Sequence, residues 1–208
     1  MRTRKFLAIT AMGLLVAVTV SAQVAQFSAS GSYLKGTGDN DVSLWGGGIA
    51  GKGFLGQHVA IGVKVNAYPK KTSSGTVGSF NYTSANLVTN AAATLDFFLS
   101  SKKSMLQPYL GIDAGASFNN QTVTFTNSNT QVIENKNKQT FFLLSPKAGV
   151  NIGLGQAFGI FAQAQYNLTF GDGKTVSFNE LPNFQSKPVD KYFTIDAGIY
   201  FRLMPAGK

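Results

Sequence analysis

The sequence predicts an all-β protein, an eight-stranded antiparallel up-and-down transmembrane β-barrel. Apolar and polar residues alternate with a period of two along most of the chain, which is the pattern of strands with one apolar and one polar face. Most of these segments are longer than the ~5–6 residues of an ordinary strand, and short and long connections alternate between them. A sheet that spans a membrane must close on itself, because hydrocarbon offers no partner to an unpaired backbone group.

Residues 1–22 are predicted to be a secretory signal peptide. Three basic residues within the first five positions precede an apolar run over residues 6–20, and Ala22 ends a small-residue cleavage site. The apolar run is shorter than the roughly 20 residues that a membrane-spanning helix requires. Cleavage would remove three positive charges from a chain whose net charge is +9. We expect residues 23–203 to form the barrel domain.

Eight segments of the mature chain show the strand pattern. In residues 158–170 every second residue is apolar or aromatic, and Gln163, Gln165 and Asn167 lie among the residues between them. The last segment, residues 193–203, alternates in the same way. The eight predicted strands are residues 26–34, 44–55, 59–67, 80–99, 110–118, 142–154, 158–170 and 193–203.

The connections between these strands alternate in length. Short ones at residues 56–57, 100–104 and 155–156 alternate with long polar ones at residues 35–41, 70–79, 119–138 and 171–191. Outer-membrane barrels have short periplasmic turns and longer outer loops, so we place both chain ends in the periplasm and expect residues 204–208 to be a short periplasmic tail. Residues 117–130 are rich in Asn and Thr, and we expect them to extend a hairpin whose strand edges are open to partners.

The polar, glycine-rich face of the strands is assigned to the lumen, and the apolar face to lipid. The interior of a barrel of about eight strands is just wide enough to be filled by side chains, so we expect a plugged lumen. Charged residues on the polar face lie at comparable depths, and buried charges need partners of opposite sign. We therefore predict a luminal ion-pair network of Lys64, Asp96, Asp113, Lys147, Asp196 and Arg202.

Aromatic residues on the apolar face are expected at the two membrane interfaces. In the predicted register, those near the periplasmic strand ends are Phe97, Phe158 and Phe201. Those near the outer strand ends are Trp45, Phe118, Phe142, Phe170 and Phe193.

The last predicted strand carries a recognisable pattern of residues. Asp196 is followed two positions later by Gly198, and Phe201 and Leu203 occupy alternating apolar positions. This strand resembles the C-terminal assembly signal of small bacterial outer-membrane barrels of the porin-like superfamily. The resemblance implies that the barrel-insertion machinery reads this strand. This chain departs from the family pattern by continuing through residues 204–208. The family supports structural, adhesive, lipid-modifying and transport roles, so the resemblance leaves the role open.

Residues that suggest chemistry do not form a recognised site. The glycine-rich run at residues 46–53 approaches a nucleotide-binding loop, but no Ser or Thr follows Lys52 and the run continues into a strand. His58 is the only histidine, and it lies at a predicted periplasmic turn without a predicted partner to orient it. With one His and no Cys, no ordinary transition-metal site is expected. We expect no enzymatic activity, no metal and no cofactor.

We expect a monomer, exported to the outer membrane, with a structural or surface-interaction role. Its predicted partners are outer-membrane lipid and lipopolysaccharide, with the barrel-assembly machinery during insertion. No nucleic acid is expected, because the basic balance reflects a scarcity of acidic residues. The candidate contacts with lipopolysaccharide phosphates are Lys70, Lys71, Lys136 and Lys138. Two alternatives stay open, a narrow porin-like channel for small solutes and a secreted soluble lipid-binding barrel, because periodicity alone does not say which face is inside.

Overall fold

The structure is a computed structural model. It describes residues 24–37, 42–77, 80–101, 104–127, 132–171, 176–178, 181–186 and 191–203. The predicted signal peptide and the predicted tail at residues 204–208 lie outside these ranges. The strands are β1 (Ala25–Gly36), β2 (Ser43–Leu55), β3 (Val59–Val77), β4 (Phe80–Phe98), β5 (Leu106–Asn127), β6 (Val132–Gly153), β7 (Phe158–Phe170), β8 (Val176–Phe178), β9 (Leu181–Ser186) and β10 (Lys191–Leu203).

Eight of these strands form a closed antiparallel barrel in the order β1-β10-β7-β6-β5-β4-β3-β2. The first and last strands close it, with a register that runs from Ala25 opposite Leu203 to Gly36 opposite Tyr192. The two short strands β8 and β9 pair with each other within the connection between β7 and β10. The predicted fold class is confirmed.

None of the described residues forms a helix long and apolar enough to cross a membrane.

The two ends of the barrel differ. Short turns at residues 56–58, 99–105 and 154–157 lie at one end, together with the described chain ends at Val24 and Leu203. We call this the turn end and the opposite end the loop end. In the first of these turns Gly56 has a φ of 78°, a conformation that glycine adopts without the strain other residues incur.

Side chains alternate between the lumen and the outer wall on the barrel strands, most regularly on β10. On β10, Tyr192, Thr194, Asp196 and Tyr200 are buried, whereas Ile195 between them is exposed. The exposed side chains of the outer wall are mostly apolar, and Trp45 and Ile49 are 74% and 67% exposed. A soluble barrel has the reverse arrangement, with apolar residues inside. The outer wall therefore suits hydrocarbon, which argues against the soluble alternative.

The predictions of long connections at residues 70–79 and 119–138 are wrong, because most of these residues belong to strands. The β3–β4 hairpin continues to Val77 opposite Phe80, and β4 pairs with β5 as far as Phe80 opposite Asn127. The β5–β6 hairpin reaches Thr126 opposite Val132. Thr, Val, Phe and Tyr are good strand formers even where neither face is apolar, so the ladder continues where the alternation fades.

These hairpins build a four-stranded sheet that extends beyond the barrel wall. It consists of residues 69–77 of β3, 80–88 of β4, 118–127 of β5 and 132–141 of β6, and we call it the protruding sheet. The neighbouring barrel strands β2 and β7 do not pair with this sheet in the described residues. The β2–β3 ladder ends at Gly47 opposite Ala67, and the β6–β7 ladder ends at Phe142 opposite Phe170. Within the described ranges the protruding sheet therefore has two open edges, one on β3 and one on β6.

Candidate functional site

The centre of the lumen holds charged residues of both signs from six strands. They are Lys52 on β2, Lys64 on β3, Asp96 on β4, Asp113 on β5, Lys147 on β6 and Asp196 on β10, and all are buried. Each comes from the polar face of its strand, so closure of the barrel brings them together across the axis. The three positive and three negative charges balance, which limits the cost of taking them out of water.

Lys147 and Asp96 are the centre of one group of ion pairs. Lys147 Nζ lies 2.5 Å from Asp113 Oδ1 and 2.8 Å from Asp96 Oδ1. Asp96 Oδ2 lies 2.5 Å from Lys52 Nζ. Lys147 also donates a hydrogen bond to the Thr94 hydroxyl. Each carboxylate of this group thus faces at least one ammonium at contact distance.

Lys64 and Asp196 form a second ion pair, which amide side chains join to the first group. Lys64 Nζ lies 2.6 Å from Asp196 Oδ2 and donates to Gln165 Oε1 at 2.5 Å. Gln165 Nε2 in turn donates to Asp113 Oδ2 at 2.7 Å. Asp196 also accepts from Gln163 Nε2 at 2.7 Å. The central charges are therefore one connected hydrogen-bonded layer, which we call the charged layer.

The charged layer contains five of the six predicted luminal residues. Arg202 lies in the lumen nearer the turn end, where its Nε donates to Gln26 Oε1 at 3.0 Å. Its guanidinium carbon lies 4.8 Å from the centre of the Tyr200 ring and 5.2 Å from that of Phe54. Lys52 was missed, because glycines on both faces of β2 conceal the alternation there. Counting by twos from Leu44 would have placed Lys52 on the luminal face.

Apolar layers lie on both sides of the charged layer. At the loop end the buried side chains of Leu34, Leu44, Tyr68, Val88, Leu143 and Tyr192 pack together. At the turn end Val24, Phe54, Ala60, Phe98 and Tyr109 do the same. In the part of the chain that the structure describes, these side chains occupy much of the lumen on both sides of the charged layer, and buried polar side chains such as Gln107 and Arg202 lie beside the turn-end cluster. This arrangement argues against the channel alternative.

A small cavity remains beside the charged layer. Its volume is about 10 Å³, and Lys64, Asn66, Asn90, Asp113 and Gln165 are among the residues that line it. A cavity of this size with polar walls has room for about one water molecule. Many described side chains are buried in the lumen around it, as expected for a barrel of this strand number.

Two inward-facing tyrosines depend on glycines of a neighbouring strand. A Cβ on Gly159 would overlap the ring of Tyr200, and one on Gly149 would lie 2.6 Å from the ring of Tyr109. Each ring thus lies flat against backbone that has no side chain. These glycines make room for aromatic side chains inside a narrow lumen.

The four lysines predicted to contact lipopolysaccharide lie on strands of the protruding sheet. Lys70 and Lys71 belong to β3, and Lys136 and Lys138 to β6. Successive pairings set Lys71 opposite Asn86, Asn86 opposite Gln121, and Gln121 opposite Asn137. The two lysine pairs are therefore level with each other at the two edges of the sheet, three strand spacings or roughly 14 Å apart.

The residues of the predicted assembly signal lie on the strand that closes the barrel. Asp196 is buried in the charged layer, whereas Phe201 and Leu203 are exposed on the outer wall. Gly198 faces the lumen, where a Cβ would overlap the carbonyl oxygen of Ala29 on β1. Only glycine allows β1 and β10 to approach so closely at this point.

His58 lies at the turn end and is exposed. Its Nδ1 is 2.9 Å from the carbonyl oxygen of Phe98, and its ring stacks on Phe97 with centroids 6.1 Å apart. Within the described ranges no three His, Cys, Asp or Glu side chains converge in a way that would hold a metal ion.

Comparison with solved structures places this barrel among known folds. A scan against protein-family models gave no match, and a search of curated proteins gave none either. A major outer membrane protein from Thermus thermophilus is similar over 86% of this chain and 99% of its own, with 10% identity and a TM-score of 0.56. OprG from Pseudomonas aeruginosa is similar over 88% and 97%, with 13% identity and a TM-score of 0.55. The chain has the fold of the small outer-membrane β-barrels.

A third outer-membrane barrel with this fold is Ail, the attachment invasion locus protein of Yersinia pestis. Its structure in complex with the heparin analogue sucrose octasulfate is similar over 86% of this chain and 97% of its own, with 13% identity and a TM-score of 0.50. Identities this low establish the fold and not the role. The resemblance to small bacterial outer-membrane barrels is confirmed at that level.

Outer-membrane barrels carry aromatic residues at the two headgroup levels, and aromatic side chains of this barrel lie at both strand ends. Near the turn end Phe97 and Phe201 are exposed, and Phe158 packs on Phe201 with ring centroids 5.1 Å apart. Near the loop end the predicted residues Trp45, Phe118, Phe142 and Phe170 are exposed, and Phe193 is half-buried. The outer wall between these levels is the part that suits the membrane interior.

Proposed function

We propose that the protein is an outer-membrane barrel with a non-enzymatic surface-interaction role, in which the protruding sheet binds another protein by strand addition. The observation that carries the proposal is the pair of open edges on this sheet. An edge strand presents unpaired N–H and C=O groups, which are a template for an additional strand. The turn end faces the periplasm in barrels of this kind, so the sheet would stand outside the cell.

The two edges are not equally suited to strand addition. The β3 edge begins at Pro69, which has no N–H, and its ladder is interrupted by a bulge between Tyr68 and Lys71. Proline and bulges are features with which proteins block an edge, whereas lysines occur on both edges and do not distinguish them. Residues 132–141 of β6 contain no proline, and their described pairs with β5 follow one register. The β6 edge is therefore the one that we propose accepts the added strand.

The packing of the described lumen supports a surface role rather than transport. The charged layer is internally neutral, and its side chains bind one another. Apolar side chains pack in the lumen on both sides of it. We infer that the charged layer serves to hold the barrel closed, and that function lies in the parts beyond the wall.

Variants with proline at the two edges test strand addition. A phage-displayed library of extended peptides is panned against the purified barrel, and recovered peptides are measured against Asn135→Pro and Lys136→Pro. Alternate N–H groups face an edge, so one of two adjacent prolines must remove an edge donor. Ser73→Pro and Ser74→Pro on β3 are the matched controls. Binding should be lost with a β6 proline and kept with both β3 prolines. Peptides that bind all four variants equally would refute the proposal.

Lipopolysaccharide is the second partner that we propose, on the basis of the level lysine pairs. Lys138 lies four residues beyond Phe142, which is roughly 13 Å along the strand. If Phe142 lies at the headgroup level, Lys70, Lys71, Lys136 and Lys138 stand where the phosphates of lipopolysaccharide would be. The bound sulfated sugar of the Ail complex is likewise a polyanion, which supports this assignment.

Location is tested by fractionation and by gel mobility. We expect the protein to be recovered with outer membranes and to migrate differently before and after boiling. A product that is released without detergent and whose mobility does not change on heating would contradict an outer-membrane location.

A further inference from the structure

The outer wall carries a groove that none of the described residues fills. It has a volume of about 400 Å³ and is lined mostly by outward-facing residues of β10, β1, β2 and β3. Its floor includes Ala29 and Gly51, and its sides include Phe27, Phe201 and Val65. The size is within the range of pockets that hold small molecules, roughly 300–1,000 Å³.

The groove forms because the strand register places small residues beside bulky ones on the outer wall. In one row Phe201, Phe27, Gly51 and Val63 are successive neighbours, and in the next row they are Ile199, Ala29, Ile49 and Val65. Gly51 and Ala29 leave gaps at diagonal positions between bulky neighbours. Because the strands are fixed by their ladders, the groove is formed before any ligand binds.

The surroundings of the groove define the chemistry of its occupant. Its side-chain walls are apolar, and it opens on the outer wall just inside the aromatic residues of the turn end. It is continuous with the surface that suits hydrocarbon, so the molecules that reach it are lipids. The groove crosses four strands, or roughly 14 Å, which gives it an elongated shape suited to a chain.

We propose that this groove is a binding site for one acyl chain of a phospholipid in the periplasmic half of the membrane. The hydrophobic effect adds little here, because lipid tails surround the barrel in any case. The binding free energy comes from van der Waals contacts between the acyl chain and the groove. When the groove is empty, the atoms that line it lack these contacts. A preformed wall also loses no conformational freedom when the chain binds. The inference rests on the outer-membrane location and is independent of the protruding sheet.

Filling the groove tests the proposal. Ala29→Phe puts a ring on the floor and Val65→Phe narrows one side, so either variant tests it if the other folds poorly. Ala162→Phe on β7 is the matched control, because Ala162 is exposed on the outer wall away from the groove. Aromatic residues are ordinary on the lipid face of such barrels. Each purified barrel is titrated with palmitoyl-oleoyl phosphatidylethanolamine and the complexes are counted by native mass spectrometry.

We expect one phospholipid per wild-type barrel, and an affinity lower by roughly tenfold in each groove variant, which corresponds to about 1.4 kcal/mol. Ala162→Phe should bind as the wild type does. Equal binding by the wild type and both groove variants would overturn the proposal. A wild-type complex with the mass of two barrels that is absent from the groove variants would also overturn the proposal. The occupant of the groove would then be a second copy of the protein.

Discussion

Asp96→Asn removes the one carboxylate of the charged layer that contacts two lysines. Asp96 is fully buried, with Lys52 Nζ at 2.5 Å and Lys147 Nζ at 2.8 Å. Lys147 keeps its contact with Asp113, whereas Lys52 loses its carboxylate. Removing one partner of a buried ion pair costs about 3–5 kcal/mol. We expect the free energy of unfolding to fall by that amount.

The measurement is urea unfolding in lipid vesicles, followed by the fluorescence of Trp45, the only tryptophan. Trp45 lies exposed on the outer wall, so its emission reports whether the wall is in lipid. A second variant, Asp113→Asn, is the comparison. It should cost less, about 1–3 kcal/mol, because Lys147 retains Asp96.

A double variant separates loss of the ion pair from general damage to the lumen. Adding Lys52→Met to Asp96→Asn removes the unneutralised ammonium, and a buried pair replaced by neutral groups is often tolerated. We expect the double variant to regain about 2 kcal/mol of the stability that Asp96→Asn loses. The reasoning fails if Asp96→Asn costs under about 1 kcal/mol, or if Lys52→Met lowers stability further in that background.

Three further predictions follow from the lumen and the sheet. Gly159→Ala should cost about 1–3 kcal/mol in the same assay, because its Cβ would meet the Tyr200 ring. Gly155→Ala, where nothing lies within 4 Å of the Cβ, should be neutral, and equal costs would contradict the packing argument. Purified barrel in planar bilayers should show no discrete conductance, and regular current steps would mean that the apolar layers open. Lipopolysaccharide should co-purify in a salt-sensitive way and be reduced by Lys70→Gln with Lys71→Gln, and an unchanged amount in that double variant would count against the lysine contact.

The strands of the barrel wall were predictable, because burial imposes a strict alternation on them. Residues 158–170 match β7 (Phe158–Phe170) at both ends, since one face meets lipid and the other meets the lumen along its whole length. The same constraint placed Lys64 and Asp96 on the luminal face. Residues 70–77 and 119–127 pair beyond the point where the β2–β3 and β6–β7 ladders end. Their sequence is polar and lacks a sustained apolar alternation, so these strand segments were read as loops.

Contacts between distant strands were not predictable, because they depend on register and on side-chain reach. Parity places Arg202 and Asp113 on the same face, but the register puts Arg202 beside Gln26 and Asp113 near Lys147. The level arrangement of Lys71 and Asn137 likewise follows only from three successive ladders. Sequence spacing alone contains none of these relations.

The position of Asp196 links the order of assembly to the balance of charge. Asp196 belongs to β10, the last strand, and its carboxylate neutralises Lys64 on β3 across the lumen. Until β10 pairs with β1, the charged layer contains one more ammonium than its other carboxylates balance. Arg202, which β10 also brings into the lumen, lies outside this layer, beside Gln26. A barrel that closes without its final strand, or in a register that moves Asp196 to the outer wall, retains that excess charge in a region without water. Electrostatic self-energy thus penalises incomplete or misaligned closure, and a single aspartate acts as a check that the last strand is in place.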